Sequence, residues 1–140
     1  MNTVIKHLQD IPRTPSAMPT NKGTTFYQRA FARGSDGVTG PWECVDYMTI
    51  PAGTQFGRHI HDGSEELYVI LSGRGTALLD DEQHTVEAGD YLMLRNQGCH
   101  GLRNDGPEVI ELLCVCIYLG ADHRLIPVWD EPTSPIGDRA

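Results

Sequence analysis

The residues of this chain best suited to chemistry are two histidines, a glutamate and a more distant third histidine. His59 and His61 are two positions apart, so on a β-strand both imidazoles project from the same face. The Asp-Gly-Ser sequence at 62–64 indicates a turn, after which Glu66 opens the next strand and faces the pair. His100 follows a second turn signal, at a strand entrance. Three neutral imidazoles and one carboxylate form a mixed donor set that suits a divalent transition metal.

Short apolar runs between turn residues must position these side chains. The 140-residue chain has 15 glycines and 9 prolines, and the runs between them are rich in Val, Ile, Leu, Tyr and Thr. No window shows the apolar stripe of a helix over several turns. Many short strands with frequent turns are typical of a sandwich or closed barrel, so an all-β fold is predicted. The predicted strands are Thr24–Phe31, Trp42–Ile50, Gln55–His61, Glu66–Leu71, Gly75–Asp80, Gln83–Glu87, Tyr91–Leu94, Gly101–Asn104 and Val109–Leu119.

The length suggests one domain with irregular ends. Prolines are frequent and periodicity is weak in residues 10–24, and prolines return after residue 126. We therefore predict an N-terminal arm over residues 1–24, a single barrel domain over residues 25–126 and a C-terminal tail over residues 127–140. The tip of the tail is expected to be poorly ordered.

Composition and charge exclude several classes of function. With 19 acidic and 11 basic residues the formal net charge is -8, which argues against nucleic acid and anionic membranes as partners. No apolar run approaches the ~18 residues of a membrane span.

The first residues lack the apolar core of a signal peptide, so the cytoplasm is the expected compartment. The 4 cysteines are expected to be free thiols there, and their spacing does not suit a zinc ribbon.

The histidine-rich segment resembles the first motif of the cupin family, a glycine, a His-x-His pair, a glutamate and a second glycine at fixed spacing. A second motif also resembles the family, although Arg95 and Gln97 stand where a proline and a glycine are usual. The resemblance covers roughly residues 40–120. It implies a double-stranded β-helix, a small jelly-roll barrel, that holds one divalent transition metal (Fe, Mn, Ni, Co or Zn). The matching residues are Gly53, His59, His61, Glu66 and Gly73 in the first motif, and Gly89, His100 and Asn104 in the second. The implied ligands are His59, His61, Glu66 and His100.

Strand parity adds Tyr68 as a candidate catalytic residue, because it projects from the same face as Glu66. One interpretation makes it a general acid or base, with a phenol pKa lowered by the nearby cation. The other makes it an aromatic residue that packs the barrel and hydrogen-bonds its hydroxyl.

Parity also supplies candidate substrate-pocket residues on the last long strand and beside His100. Cys114 and Cys116 have the parity opposite to Glu111 and should face inward, as core residues or as pocket lining. Cys99 adjoins His100, as a reactive thiol or as a small buried hydrophobe.

Further pocket candidates lie on the first two long strands. Asp46 and Met48 share a face with Cys44, so an inward carboxylate is one interpretation there. Tyr27 and Arg29 share one face of an early strand, which is either solvated or at the barrel mouth. An interior arginine would imply an anionic substrate, because an unpaired buried guanidinium is costly. Outside these candidates, Arg58 is expected at the surface or the mouth.

These expectations lead to an enzyme hypothesis with two alternatives. A small barrel with all four ligand positions filled suits a metal-dependent enzyme for a small oxygen-rich or carboxylate metabolite. Lewis-acid catalysis with proton transfer would give an isomerase, cyclase or lyase. The chain looks like small single cupins, including polyketide-cyclase-like proteins and lyases that cleave dimethylsulfoniopropionate, in which the tyrosine of Glu-x-Tyr is implicated as the base. The alternatives are an Fe(II)-dependent dioxygenase and a non-catalytic binder of small ligands.

Two kinds of partner are expected, a small-molecule substrate and a second copy of the chain. A homodimer would protect exposed sheet edges. The resemblance to cupins implies that either a sheet face or the segment 10–31 forms the contact.

Overall fold

The computed structural model describes residues 2–120 and 122–137, which form strands and one short 3₁₀-helix, Leu8–Asp10. None of the described residues forms a helix with the length and apolar character needed to cross a membrane. The strands are β1 (Thr14–Pro15), β2 (Phe26–Ala32), β3 (Trp42–Ile50), β4 (Gln55–Asp62), β5 (Ser64–Ser72), β6 (Arg74–Leu79), β7 (Glu82–Glu87), β8 (Tyr91–Leu94), β9 (Cys99–Arg103), β10 (Ile110–Tyr118), β11 (Arg124–Pro127) and β12 (Ile136–Gly137).

The strands form two 6-stranded sheets that enclose the core between them. One sheet has the order β1-β2-β3-β10-β5-β8 and the other has the order β11-β4-β9-β6-β7-β12. Neighbouring strands are antiparallel except β12, which lies parallel to β7. The predicted double-stranded β-helix is therefore confirmed.

Burial alternates along the long strands β3, β5 and β10, as their sequence patterns predict. At one end of the barrel the inward side chains are apolar, and Ile50, Ile70 and Leu112 are almost completely buried. Toward the other end, the inward-facing side chains of the same strands are carboxylates, Asp46 on β3 and Glu66 on β5. One end of the interior is thus hydrocarbon and the other end is polar.

Predicted and observed strands agree well in the centre of the chain. The predicted limits of Trp42–Ile50 and Tyr91–Leu94 are those of β3 and β8. Strand β9 begins earlier than predicted, at Cys99, because its first residues pair with β4 beside His59. Strands β1, β11 and β12 were not predicted. They are short, and each is stabilised by pairing with a longer neighbour.

The arm lies against β4 at a point where only glycine fits. An ideal Cβ at Gly57 would lie 2.2 Å from the carbonyl carbon of Thr20. The Thr20 hydroxyl donates to the carbonyl of Arg58 at 2.9 Å, and the Gly57 amide donates to the side chain of Asn21 at 2.7 Å. The arm is therefore fixed to β4 just before the two histidines.

The tail crosses the outer face of the second sheet and covers Arg58. This side chain is 5% exposed and donates to the carbonyls of Asp80 and Asp130. The expectation that Arg58 lies at the surface or mouth is wrong, because tail residues that carry no motif pack over it. The tip, residues 138–140, lies outside the described residues, and the domain limits at 24/25 and 126/127 stay a prediction.

Candidate metal centre and cavity

Three strands bring the four predicted ligands together at the polar end of the barrel. His59 and His61 lie on β4, Glu66 lies on β5 and His100 lies on β9, where it pairs directly with His59. All four residues are buried, and one ligand atom of each lies within 4.8 Å of the others. Oε2 of Glu66 is 2.9 Å from Nε2 of His61 and 3.0 Å from Nε2 of His100.

Hydrogen bonds on the far side of the rings orient two of the imidazoles. Nδ1 of His59 donates to the carbonyl of Gly57 at 2.8 Å, and Nδ1 of His61 lies 2.6 Å from the hydroxyl oxygen of Ser64. This leaves the Nε2 atoms facing the centre, the arrangement usual for metal-bound histidine. Nε2 of His61 and Oε2 of Glu66 are buried without a hydrogen bond of normal geometry. Buried polar atoms of this kind need a partner, so the residues fit a divalent metal.

The environment keeps the ligands in the forms that bind cations. Burial, with a contribution from His100, lowers the pKa of His59 to about 3. Burial also lowers the pKa of His100. Burial alone would raise the pKa of Glu66, but the adjacent His100 and His61 imidazoles hold it well below its ordinary value. The cluster therefore offers neutral imidazoles at His59 and His100 and a carboxylate at Glu66 near neutral pH.

Tyr68 lies at the inner side of this cluster. Its side chain is 2% exposed, and its hydroxyl oxygen is 3.5 Å from Nε2 of His100. The two rings meet edge to face at 5.5 Å between centroids. Burial, followed by the charge of Glu66, raises the pKa of Tyr68 well above its ordinary value, so the free protein holds the protonated phenol.

A cavity of about 520 Å³ opens beside the centre. Its lining includes three of the ligands, His59, His61 and Glu66, together with arm residues 16–19. Six of the predicted pocket residues line it as well. They are Tyr27, Arg29, Asp46, Met48, Cys114 and Cys116.

Cys99 and Tyr68 are not among the residues that line this cavity. Cys99 is half-buried, and its backbone amide donates to the side chain of Asp80 at 3.0 Å. Burial raises the pKa of its thiol, which is the property of an unreactive cysteine.

Arg29 and Asp46 form a bidentate ion pair in the cavity wall. Nε of Arg29 lies 2.9 Å from Oδ1 of Asp46, and Nη2 lies 2.9 Å from Oδ2. Burial raises the pKa of Asp46 to about 6, against the effect of Arg29. The Arg29 side chain is 45% exposed, so it is neither a purely solvated residue nor a buried unpaired one. It presents a cation to the cavity.

Sequence reasoning missed His123, which lies just before β11. Its ring is within 10° of parallel to that of His61, with centroids 5.8 Å apart. Leu125 and Pro127 line the same cavity. Residues 123, 125 and 127 are two positions apart, and residues two apart on a strand share a face. Their spacing in the sequence could therefore have predicted that His123 lies on the same face as Leu125 and Pro127.

Cys114 supports the carboxylate ligand from the other sheet. Contact with Cys44 and burial raise the pKa of its thiol well above the ordinary value, so the thiol stays protonated. It donates to Oε1 of Glu66 at 2.7 Å, which leaves Oε2 for the centre. Cys114 is therefore a core residue that also orients the carboxylate of Glu66.

The sequence is similar to a known family of domains and to individual proteins of other organisms. The family model for the cupin domain matches residues 46–116. The chain is 36% identical over 75 residues to an uncharacterized protein of Methanocaldococcus jannaschii, covering 54% of this chain and 59% of that protein. It is 33% identical over 72 residues to an oxalate-binding protein of Thermotoga maritima, covering 51% of this chain and 60% of that protein. The chain thus spans about three fifths of the length of these relatives.

Two solved structures extend the comparison to most of the chain. A predicted oxalate decarboxylase from Thermotoga maritima superposes with a TM-score of 0.76 at 25% identity, over 83% of this chain and 100% of that one. The polyketide cyclase RemF from Streptomyces resistomycificus superposes with a TM-score of 0.74 at 16% identity, over 90% of this chain and 85% of that one. At such identity the likeness to the cyclase concerns the fold alone.

Proposed function

The chain belongs to the cupin family, and from that premise we propose that it is a metal-dependent enzyme for a small carboxylate-bearing metabolite. The reaction would be a Lewis-acid-assisted proton transfer of isomerase, cyclase or lyase type. The observation that carries the proposal is the convergence of orphaned ligand atoms, Nε2 of His61 and Oε2 of Glu66, beside a cavity of about 520 Å³. That volume suits a small molecule.

The residues around the cavity have separate tasks in this proposal. A bound cation would supply Lewis acidity to a carboxylate or carbonyl oxygen of the substrate. His59, His61, Glu66 and His100 would hold it. Arg29 would orient the substrate by its charge, because its guanidinium reaches the cavity while paired with one carboxylate.

Tyr68 is proposed as the residue that holds the transferred proton at its hydroxyl oxygen. In support, that oxygen lies 3.5 Å from Nε2 of His100, the same nitrogen that is 3.0 Å from Glu66. The hydroxyl is therefore close to the centre, although the cavity wall does not include it.

A second candidate is a non-catalytic receptor for small carboxylates. The oxalate-binding protein of Thermotoga maritima favours it, because the matched region of that relative is 33% identical to this chain. The Fe(II)-dependent dioxygenase stays a prediction from the sequence. The cytoplasm likewise stays the expected compartment.

One set of measurements on protein prepared without oxygen and without an affinity metal column tests the proposal. We expect elemental analysis to find one divalent transition metal per chain. We expect a panel of small carboxylic acids, oxalate included, to contain a substrate that is converted without oxygen uptake. Oxygen consumption linked to substrate would replace the proposal by the dioxygenase, and binding without turnover across the panel would replace it by the receptor.

Arg29→Met probes the carboxylate preference. We expect it to weaken carboxylate binding at least about tenfold, since hydrogen bonds to charged groups contribute about 1.5–3 kcal/mol. Arg33→Met is the matched control. Arg33 also pairs with a carboxylate, that of Glu43 at 2.7 Å, but it is not among the cavity-lining residues. Equal effects of both variants would remove Arg29 from substrate recognition.

A further inference from the structure

The cavity contains a second group of side chains with the chemistry of metal ligands. One ligand atom of each of His61, Cys116 and His123 lies within 4.8 Å of the other two. Cys116 is 2% exposed, and the side chains of His61 and His123 are 4% and 12% exposed. A set of imidazole and thiolate ligands suits zinc and similar borderline cations better than it suits hard ones.

The two ring nitrogens of His61 face different partners. Nε2 lies 2.9 Å from Oε2 of Glu66, at the four-ligand centre. Nδ1 lies 2.6 Å from the hydroxyl oxygen of Ser64, which is two residues before Glu66 on β5, and Glu66 is the residue that Cys116 pairs with. Cys116 is therefore a sheet neighbour of Ser64, which lies against the Nδ1 edge of His61, an edge that the four-ligand centre does not use.

His123 offers a nitrogen with no other use among the described residues. Its Nε2 is buried and has no hydrogen-bond partner there. Its Nδ1 lies 3.7 Å from Oε1 of Glu43, and a carboxylate on that side favours the tautomer that leaves the Nε2 lone pair free. Because buried polar atoms are nearly always paired, an orphaned imidazole nitrogen in a cavity wall points to a ligand.

We propose that Cys116, His123 and the Nδ1 edge of His61 bind a second, thiophilic divalent cation next to the four-ligand centre. Binding would release two protons to solvent, that of the Cys116 thiol and that of Nδ1 of His61, and would replace the hydrogen bond between His61 and Ser64. Thiolate and unprotonated nitrogen are the ligand forms, and a neutral His61 that binds through Nε2 carries its proton on Nδ1. This second site has three protein ligands, whereas the first centre has four. The second cation should therefore bind more weakly and fill its site after the first. The proposal concerns binding and does not depend on the proposed reaction.

Titration of the reduced, full-length chain with Co²⁺ in the absence of oxygen tests the proposal. The first equivalent should give a spectrum without thiolate character. The second equivalent should add a thiolate-to-cobalt charge-transfer band in the near ultraviolet. Cys116→Ser should abolish the band, whereas Cys114→Ser, which removes a neighbouring buried thiol, should keep it. His123→Ala should weaken the second equivalent at least about tenfold.

Three results would overturn the proposal. The first is the absence of a thiolate band at saturation, and the second is a band that survives in Cys116→Ser. The third is a band that disappears in Glu66→Gln, because the thiolate would then belong to the four-ligand centre. In that variant we expect the first equivalent to weaken and the thiolate band to remain. Circular dichroism of each variant establishes that it is folded.

Discussion

Three ligands of the four-residue centre, His59, His61 and Glu66, have one atom committed elsewhere, and this leaves one atom of each for a cation. The carbonyl of Gly57 accepts a hydrogen bond from Nδ1–H of His59, and the hydroxyl of Ser64 lies within hydrogen-bond distance of Nδ1 of His61. The Cys114 thiol occupies Oε1 of Glu66. The centre is therefore preorganised by neighbours of ordinary type, and exchanging those neighbours should loosen it without removing a ligand.

Tyr68→Phe isolates the hydroxyl at the centre. The substitution keeps the ring, which meets His100 edge to face, and removes the oxygen 3.5 Å from Nε2. If Tyr68 holds the transferred proton, turnover should fall by about 10²–10⁴-fold while metal content stays unchanged. Elemental analysis and a turnover assay on the same preparation measure both. Near-normal turnover would leave Tyr68 as a packing residue.

At the scale of elements, two-residue periodicity accounts for what the sequence could predict. It predicts that His59 and His61 share one face and that Cys114 and Cys116 face inward. For Asp46 it offers an inward carboxylate as one interpretation. It could not predict what surrounds Arg58 and His123, although the alternation of residues 123, 125 and 127 indicates that His123 shares a face with Leu125 and Pro127. Their surroundings come from the tail and β11, which pair with strands distant in the chain, and long-range pairing leaves no local pattern.

The contact between the arm and β4 should depend on Gly57. A methyl group there would meet the backbone of Thr20 at 2.2 Å, so Gly57→Ala must displace the arm or strain β4. Overpacking of this kind costs about 1–3 kcal/mol, and we expect a loss of that size in denaturant unfolding. Trypsin should also cleave faster after Arg13 and Lys22, because the arm would be held less tightly.

Gly120→Ala is the control for this experiment. A Cβ at Gly120 would meet nothing within 4 Å, so stability and cleavage should match those of the parent protein. If Gly57→Ala were as stable and as resistant to trypsin as Gly120→Ala, the arm would not be fixed to β4 at this point.

At the scale of the whole molecule, the outer face of the first sheet is apolar across four strands. Two cross-strand rows face outward there, and their register follows from the pairing of β3, β10, β5 and β8. On β8, Tyr91 is 72% exposed and Met93 is 63% exposed. Continuous apolar patches on a sheet face mark an interaction surface. The rows are Val45, Val115, Leu67 and Met93, and Tyr47, Leu113, Val69 and Tyr91.

A second copy of this chain is the partner that we propose for this face. An exposed sheet face can pair with the same face of a second copy about a two-fold axis, which closes the assembly and covers the patch on both protomers. Arm residues, in contrast, contact their own barrel, as the hydroxyl bond from Thr20 to Arg58 illustrates. The sheet face is therefore favoured over the segment 10–31, the other contact expected from the sequence.

Charge introduced on this face should separate the protomers. In the double variant Tyr91→Glu and Met93→Glu, association would bury unpaired carboxylates, so we expect the dimer dissociation constant to rise at least about 100-fold. Sedimentation or light scattering at several concentrations measures the change. Ile5→Glu is the control, because Ile5 is as exposed as Tyr91, at 72%, but lies in the arm. A parent protein that is monomeric at high concentration would exclude the dimer. A dimer that persists in the double variant but is lost in Ile5→Glu would instead assign the interface to the arm.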